Sequence, residues 1–154
     1  MTITAAPAVQ IVSVSRELMG DEVARIAGEI LSTLYAAADR LGLSPSGPFT
    51  LIYQGFTSPD RAFTVEFALP VAGEPKAASE PETGTAVRTT RPFRCLSEVH
   101  YGPMTTILDT WQALNAEVAK GGYVVTGESR EIFTKFIDFE SVENITEIQI
   151  GMES

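Results

Sequence analysis

Cysteine and histidine are nearly absent from this 154-residue chain: it has one of each, Cys95 and His100. A lone cysteine excludes an internal disulfide and fits a reducing, cytoplasmic setting. Cys95 lies in "FRCLSEVHY" among apolar residues, which reads as an inert buried thiol rather than a nucleophile. His100 has no neighbouring serine or cysteine in a nucleophile motif, and no clustered ligands accompany it, so neither a metal site nor a bound cofactor is expected. Basic residues are also few and scattered: eleven Lys and Arg against twenty Asp and Glu, for a net charge of −9. Without a Lys/Arg cluster, direct binding to nucleic-acid phosphates is not expected. No apolar run reaches about eighteen residues, so no membrane span is expected, and the N-terminus "MTITAAPAVQ" lacks a signal peptide's basic region. The glycines fall in turns rather than in a phosphate-binding loop.

What is present is an apolar content of 44% in a length suited to one domain. Residues 9–18 begin with strand alternation. Then Val23, Ile26, Ala27, Ile30, Leu31, Leu34, Ala38 and Leu41 mark a helix stripe, with Asp21 as its expected N-cap and Gly42 as its stop. "PFTLIYQGF" and "AFTVEFALPV" follow as strands. Residues 72–92, rich in Pro, Glu, Ala and Thr, read as an exposed connection ending in a short edge strand, "AVRTT". The order then repeats. "FRCLSEVHY" is a strand; a helix carries Met104, Ile107, Leu108, Trp111, Leu114 and Val118; "SREIFTKFI" and "ITEIQIGM" are strands. Pro103 suits the first turn of that helix, and Gly121–Gly122 end it.

The halves align at an offset near eighty residues: Gly42 with Gly122, Tyr53 with Phe133, Glu66 with Glu147. We read one domain over 1–154, duplicated as strand–helix–strand–strand modules at about 7–72 and 86–153 with a linker at 73–85. The fold class is α+β: one antiparallel sheet with two long helices on one face, the other face open, and a ligand cleft at the module junction.

The motifs His100-Tyr101-Gly102-Pro103, Trp111-Gln112-Ala113-Leu114, Gly122-Tyr123, Arg130-Glu131-Ile132-Phe133 and Thr146-Glu147-Ile148-Gln149-Ile150 occur in an order that resembles the GyrI-like small-molecule-binding domain. That domain also forms the effector-binding half of AraC- and MerR-type transcription regulators. No helix-turn-helix segment precedes the module, so a stand-alone form is expected. Three positions depart from the family pattern: Phe133 stands for a tyrosine, Gly151-Met152 for Pro-Val, and Met104 for an aromatic residue.

The resemblance implies a cleft that binds small hydrophobic, aromatic or cationic compounds. Residue parity turns Ile148 and Ile150 toward the helices and Glu147 and Gln149 toward the open face. The family cleft suggests that Glu147 and Glu131 converge there, with Phe133, Trp111, Tyr53, Glu66 and Tyr101 as further lining residues. An isolated glutamate on a sheet face is ordinarily just solvated, and the motif around Glu147 is what singles it out. Two other uses stay open. Some stand-alone relatives are similar to hydrolases that open strained cyclopropane rings, in which case Glu147 is the expected general acid/base. The acidic charge also permits a gyrase-inhibitor-like role with a protein partner. Monomer and homodimer are both compatible with the sequence.

Overall fold

The computed structural model describes residues 1–55 and 61–153. Among the described residues, ten strands and two α-helices follow in chain order: β1 (Thr2–Ala6), β2 (Gln10–Leu18), α1 (Gly20–Arg40), β3 (Ser44–Pro45), β4 (Thr50–Gln54), β5 (Phe63–Ala72), β6 (Ser79–Glu80), β7 (Thr85–Thr89), β8 (Phe93–Tyr101), α2 (Ile107–Gly121), β9 (Val125–Lys135) and β10 (Ile145–Met152). The sheet runs β1-β8-β10-β9-β4-β5-β2-β7-β6, with β3 beside β5. All described pairings are antiparallel. This is the expected α+β class.

Both helices lie on one face. The α1 stripe buries Val23, Ile30, Leu34, Ala38 and Leu41 against Val12, Val14, Phe67 and Leu69 of β2 and β5. The α2 stripe packs Leu114 and Val118 against Leu96, Ile148 and Ile150 of β8 and β10. The helices therefore stand over opposite ends of the sheet. Between them lie the paired central strands β4 and β9, in the register Leu51↔Glu131 and Tyr53↔Ser129.

Local details differ from expectation. Met19, not Asp21, is the N-cap of α1, and the Glu22 carboxylate accepts a hydrogen bond from the Met19 amide at 2.8 Å. At the other end Gly42 adopts φ 75°, the left-handed stop expected of it. Pro103 precedes a short 3-10 turn, Met104–Thr106, before α2 proper. The N-terminal segment adds β1 to the outer edge beside β8, a strand its composition did not announce.

The helix-free face is concave rather than flat. Only residues 7–9 separate β1 from β2, a reach of about 14 Å for extended chain, yet five strands lie between them in the sheet, which would span about 29 Å if flat. Residues 90–92 make the same short crossing from β7 to β8. The sheet therefore curls until its ends approach. Ile11, Ile52 and Ala68 are buried on this concave face although no helix covers them.

Candidate functional site

The separation of the helices leaves a cavity of about 1120 Å³ over β4 and β9. Small-molecule sites run from roughly 300 to 1,000 Å³, so this one has room for a large ligand. Its lining is mostly apolar and aromatic. Leu31 and Tyr35 come from α1; Ile107, Leu108 and Trp111 from α2; Phe49, Leu51, Tyr53, Phe63 and Phe133 from the sheet side.

The aromatic rings form two groups of contacts. Phe49 stacks with Phe67 at 6.3 Å and with Phe133 at 5.9 Å. Tyr53 meets Trp111 edge-on at 6.1 Å and Phe63 at 5.6 Å. Phe136 meets Phe133 edge-on at 6.0 Å, and Phe136 and Phe139 line the mouth. The Met104 amide donates to Phe139 O at 2.9 Å, which ties the segment after β9 to the turn before α2. His100 braces the same turn. Its Nε2 lies 2.9 Å from Pro103 O and its Nδ1 2.7 Å from Thr110 Oγ1. A carbonyl can only accept, so Nε2 carries a proton, and in the neutral ring Nδ1 accepts from the threonine.

Glu131 is the one acidic residue among the described lining residues, and it is 6% exposed. Tyr53 Oη donates to its Oε1 at 2.5 Å and Trp111 Nε1 to its Oε2 at 2.7 Å. Each carboxylate oxygen thus has one neutral donor, and no ion pair among the described residues includes Glu131. Burial raises the Glu131 pKa above the ordinary carboxyl value, although the bonds from Tyr53 and Trp111 and the charge of a protonated His100 oppose the shift. Burial, reinforced by the Glu131 charge, pushes the Tyr53 phenol well above its usual value. The arrangement is a buried carboxylate with two neutral donors and no ion-pair partner among the described residues, set in an aromatic wall.

No family model matches the chain, and no curated protein matches it. Solved structures do. The crystal structure of the EcmrR C-terminal domain superimposes with a TM-score of 0.82 at 17% identity, over 99% of this chain and 96% of that one. The chain shares its fold with that domain. SAV2435 bound to tetraphenylphosphonium gives a TM-score of 0.66 at 10% identity, over 99% and 93% of the two chains. A hydrolase encoded by lin2189 from Listeria innocua gives 0.62 at 12%, over 99% and 91%. At these identities the likeness speaks to the fold alone.

The structure divides the residues singled out from the sequence. Glu131, Phe133, Trp111 and Tyr53 line the cavity between the helices. Glu147 does not join them. Glu131 pairs with Ile148 across β9 and β10, so it shares the helix face with Ile148, while Glu147 points to the concave face. The expected convergence of Glu147 with Glu131 is therefore corrected, and so is the face on which the large cleft was expected. Strand parity places Glu66 on the concave face as well, where Arg88 grips it with Nε at 2.8 Å from Oε2 and Nη2 at 2.5 Å from Oε1. Tyr101 is 73% exposed and is not among the lining residues.

Phe49, Phe63, Phe136, Phe139 and Tyr35 were not singled out from the sequence. Phe49 had a usable signal, because it shares strand parity with Leu51 and Tyr53. Tyr35 flanks the α1 stripe and Leu108 lies on the α2 stripe, and only the gap between the helices makes them lining residues. Among the described residues no group of three or more His, Cys, Asp or Glu side chains could hold a metal ion. No helix among them is long and apolar enough to cross a membrane.

Proposed function

We propose that this protein binds lipophilic, aromatic cations in the cavity between α1 and α2, with Glu131 supplying the negative charge. One observation carries this reading: a 6%-exposed carboxylate with no ion-pair partner among the described residues lies in an aromatic cavity of about 1120 Å³. An uncompensated buried charge is costly. A delocalised cation removes that cost and covers apolar surface in the same step. Each aromatic face adds about 0.5–2 kcal/mol of cation–π attraction. Stacking and charge demand little exact shape, so selectivity is broad. The resemblance to GyrI-like domains and the shared fold with a tetraphenylphosphonium-bound protein support the reading.

Trp111 is the sole tryptophan and its indole bonds Glu131, so its fluorescence reports on the site. Titration with tetraphenylphosphonium should quench or shift this emission with saturation, and Glu131→Gln should weaken binding at least tenfold. Unchanged affinity in a folded Glu131→Gln protein would remove the basis of the proposal.

A second reading rests on the raised pKa of Glu131 beside Tyr53. A carboxyl shifted upward in this way is better suited to general acid or base catalysis than an ordinary glutamate. In a hydrolase of strained electrophiles the role expected for Glu147 would then fall to Glu131. Turnover of a cyclopropane-bearing substrate, lost in Glu131→Gln and kept in Glu147→Gln, would establish it. Absence of turnover alongside tight cation binding would leave the binding function alone.

A further inference from the structure

The curl of the sheet leaves a second groove, of about 340 Å³, on the concave face. Its floor is apolar, formed by Ile11, Ile52, Ala68 and Ile132. Its polar end holds Glu147, Gln149 and Arg130. The large cavity lies on the other side of the same strands, because Glu131 and Arg130 are consecutive and face opposite ways.

The polar end is incompletely matched. Ser97 Oγ donates to Glu147 Oε2 at 3.2 Å, and Gln149 Nε2 donates to the same oxygen at 2.7 Å. Glu147 Oε1 takes part in none of the hydrogen bonds found among the described residues, and Glu147 belongs to none of their ion pairs. The neighbouring cations are already engaged. Arg130 directs Nε and Nη2 at Glu128 Oε2, at 2.8 and 2.6 Å, and its guanidinium lies 3.8 Å from the centre of the Phe93 ring. Arg88 is held by Glu66.

Gln149 is 5% exposed, and its Oε1 has no donor among the described residues. The amide orientation follows from Glu147: a carboxylate accepts, so the NH₂ group must face it and the carbonyl must face away. Buried acceptors nearly always have a donor. The groove thus combines a half-buried carboxylate lacking a countercharge, a second acceptor lacking a donor, and an apolar floor.

We propose that this groove is a second small-molecule site, taking a short-chain organic cation that carries N–H donors, an alkylguanidinium or alkylammonium. The N–H groups satisfy Glu147 Oε1 and Gln149 Oε1, and the positive charge offsets Glu147. The alkyl chain lies over Ile52, Ala68 and Ile132. A tetraaryl phosphonium has no N–H group to offer, so the two sites differ in the cations they accept. This proposal does not depend on the function assigned to the larger cavity.

The test uses agmatine, which carries both a guanidinium and an ammonium group, in calorimetric titrations of the wild type and of Glu147→Gln, Gln149→Leu and Glu131→Gln, each checked by circular dichroism. Agmatine should bind the wild type with one saturable site. Affinity should fall at least tenfold in Glu147→Gln and severalfold in Gln149→Leu, and stay unchanged in Glu131→Gln. Saturating tetraphenylphosphonium should not displace it. Failure of agmatine to bind at millimolar concentration would overturn the proposal. So would wild-type affinity in both folded concave-face variants, or displacement by tetraphenylphosphonium.

Discussion

Tyr53 and Glu131, 78 residues apart in sequence, meet through a 2.5 Å hydrogen bond in the gap between the two helices. The contact joins the two central strands, β4 and β9, from opposite halves of the chain. It is buried, it lies where neither helix covers the sheet, and it ends at a carboxylate with no ion-pair partner among the described residues. Trp111 of α2 bonds the other oxygen of that carboxylate at 2.7 Å. One acidic side chain thus connects both halves of the sheet and one helix. A neutral isostere there removes the charge while keeping both contacts, and removal of one donor changes the charge's environment while keeping the carboxylate.

Glu131→Gln should separate stability from binding. The glutamine carbonyl accepts from Trp111 and its amide donates to the Tyr53 oxygen, so both bonds have a neutral equivalent. The folded-state pKa of Glu131 is raised, so folding disfavours its ionised form. The wild type therefore pays no ionisation cost below the ordinary carboxyl range and loses stability as pH rises through the raised value. Without ligand, the variant should melt above the wild type at pH 7, and the gap should close at pH 4 and below. Each kcal/mol corresponds to roughly 2–4 °C at this size. Melting curves at the two pH values check it, and a gap that widens on acidification would contradict it.

Tyr53→Phe should change the pH dependence of cation binding. The Tyr53 hydroxyl stabilises the ionised form of Glu131, so its removal raises the Glu131 pKa further. Binding of a permanent cation needs the ionised carboxylate and therefore increases as pH rises through that pKa. In the variant the midpoint of this increase should move to higher pH. A hydrogen bond to a charged group contributes about 1.5–3 kcal/mol, which sets the scale of the affinity lost near the midpoint. Tetraphenylphosphonium titrations across pH 4–8 measure it, and coincident profiles would refute it.

The framework was legible in the sequence because periodicity survives folding locally. The stripes of α1 and α2, the left-handed stops at Gly42 and Gly122, and the alternation of "VEFALPV" and "TEIQI" each depend on neighbours a few residues away. The site was only half legible. Parity within β10 correctly turns Glu147 away from Ile148, but placing Glu131 requires the register between β9 and β10, which pairs it with Ile148. That register also shifts near both ends of β10, so it cannot be counted along the chain. The concave closure of the sheet was equally out of reach. It follows from residues 7–9 and 90–92 bridging strands that are distant in the sheet, a relation that no local pattern encodes.

Gly151 stands where a side chain has no room. A Cβ there would lie 2.6 Å from Thr126 Oγ1 and 2.9 Å from both Glu128 O and the Phe93 ring. Glu128 O is backbone and cannot swing aside, and the β9–β10 register breaks between Ile150 and Met152. Gly151→Ala should destabilise the fold by about 1–3 kcal/mol, the range for forced overpacking. Denaturant unfolding gives the value, and a variant as stable as the wild type would show that the strand shifts without cost.

The two sides of the α2 stripe should respond oppositely to truncation. Leu114 is fully buried against the sheet, whereas Leu108 is 51% exposed and lines the cavity. Leu114→Ala should cost about 2–5 kcal/mol, the transfer loss plus the cavity left behind. Leu108→Ala leaves no void in the core, so its stability should stay within about 0.5 kcal/mol of the wild type. It does remove apolar surface from the cavity wall, and tetraphenylphosphonium affinity should fall severalfold. Denaturant unfolding and ligand titration of both variants distinguish the roles. A stability loss in Leu108→Ala equal to that in Leu114→Ala would mean that the whole stripe is core and that the cavity is closed in solution.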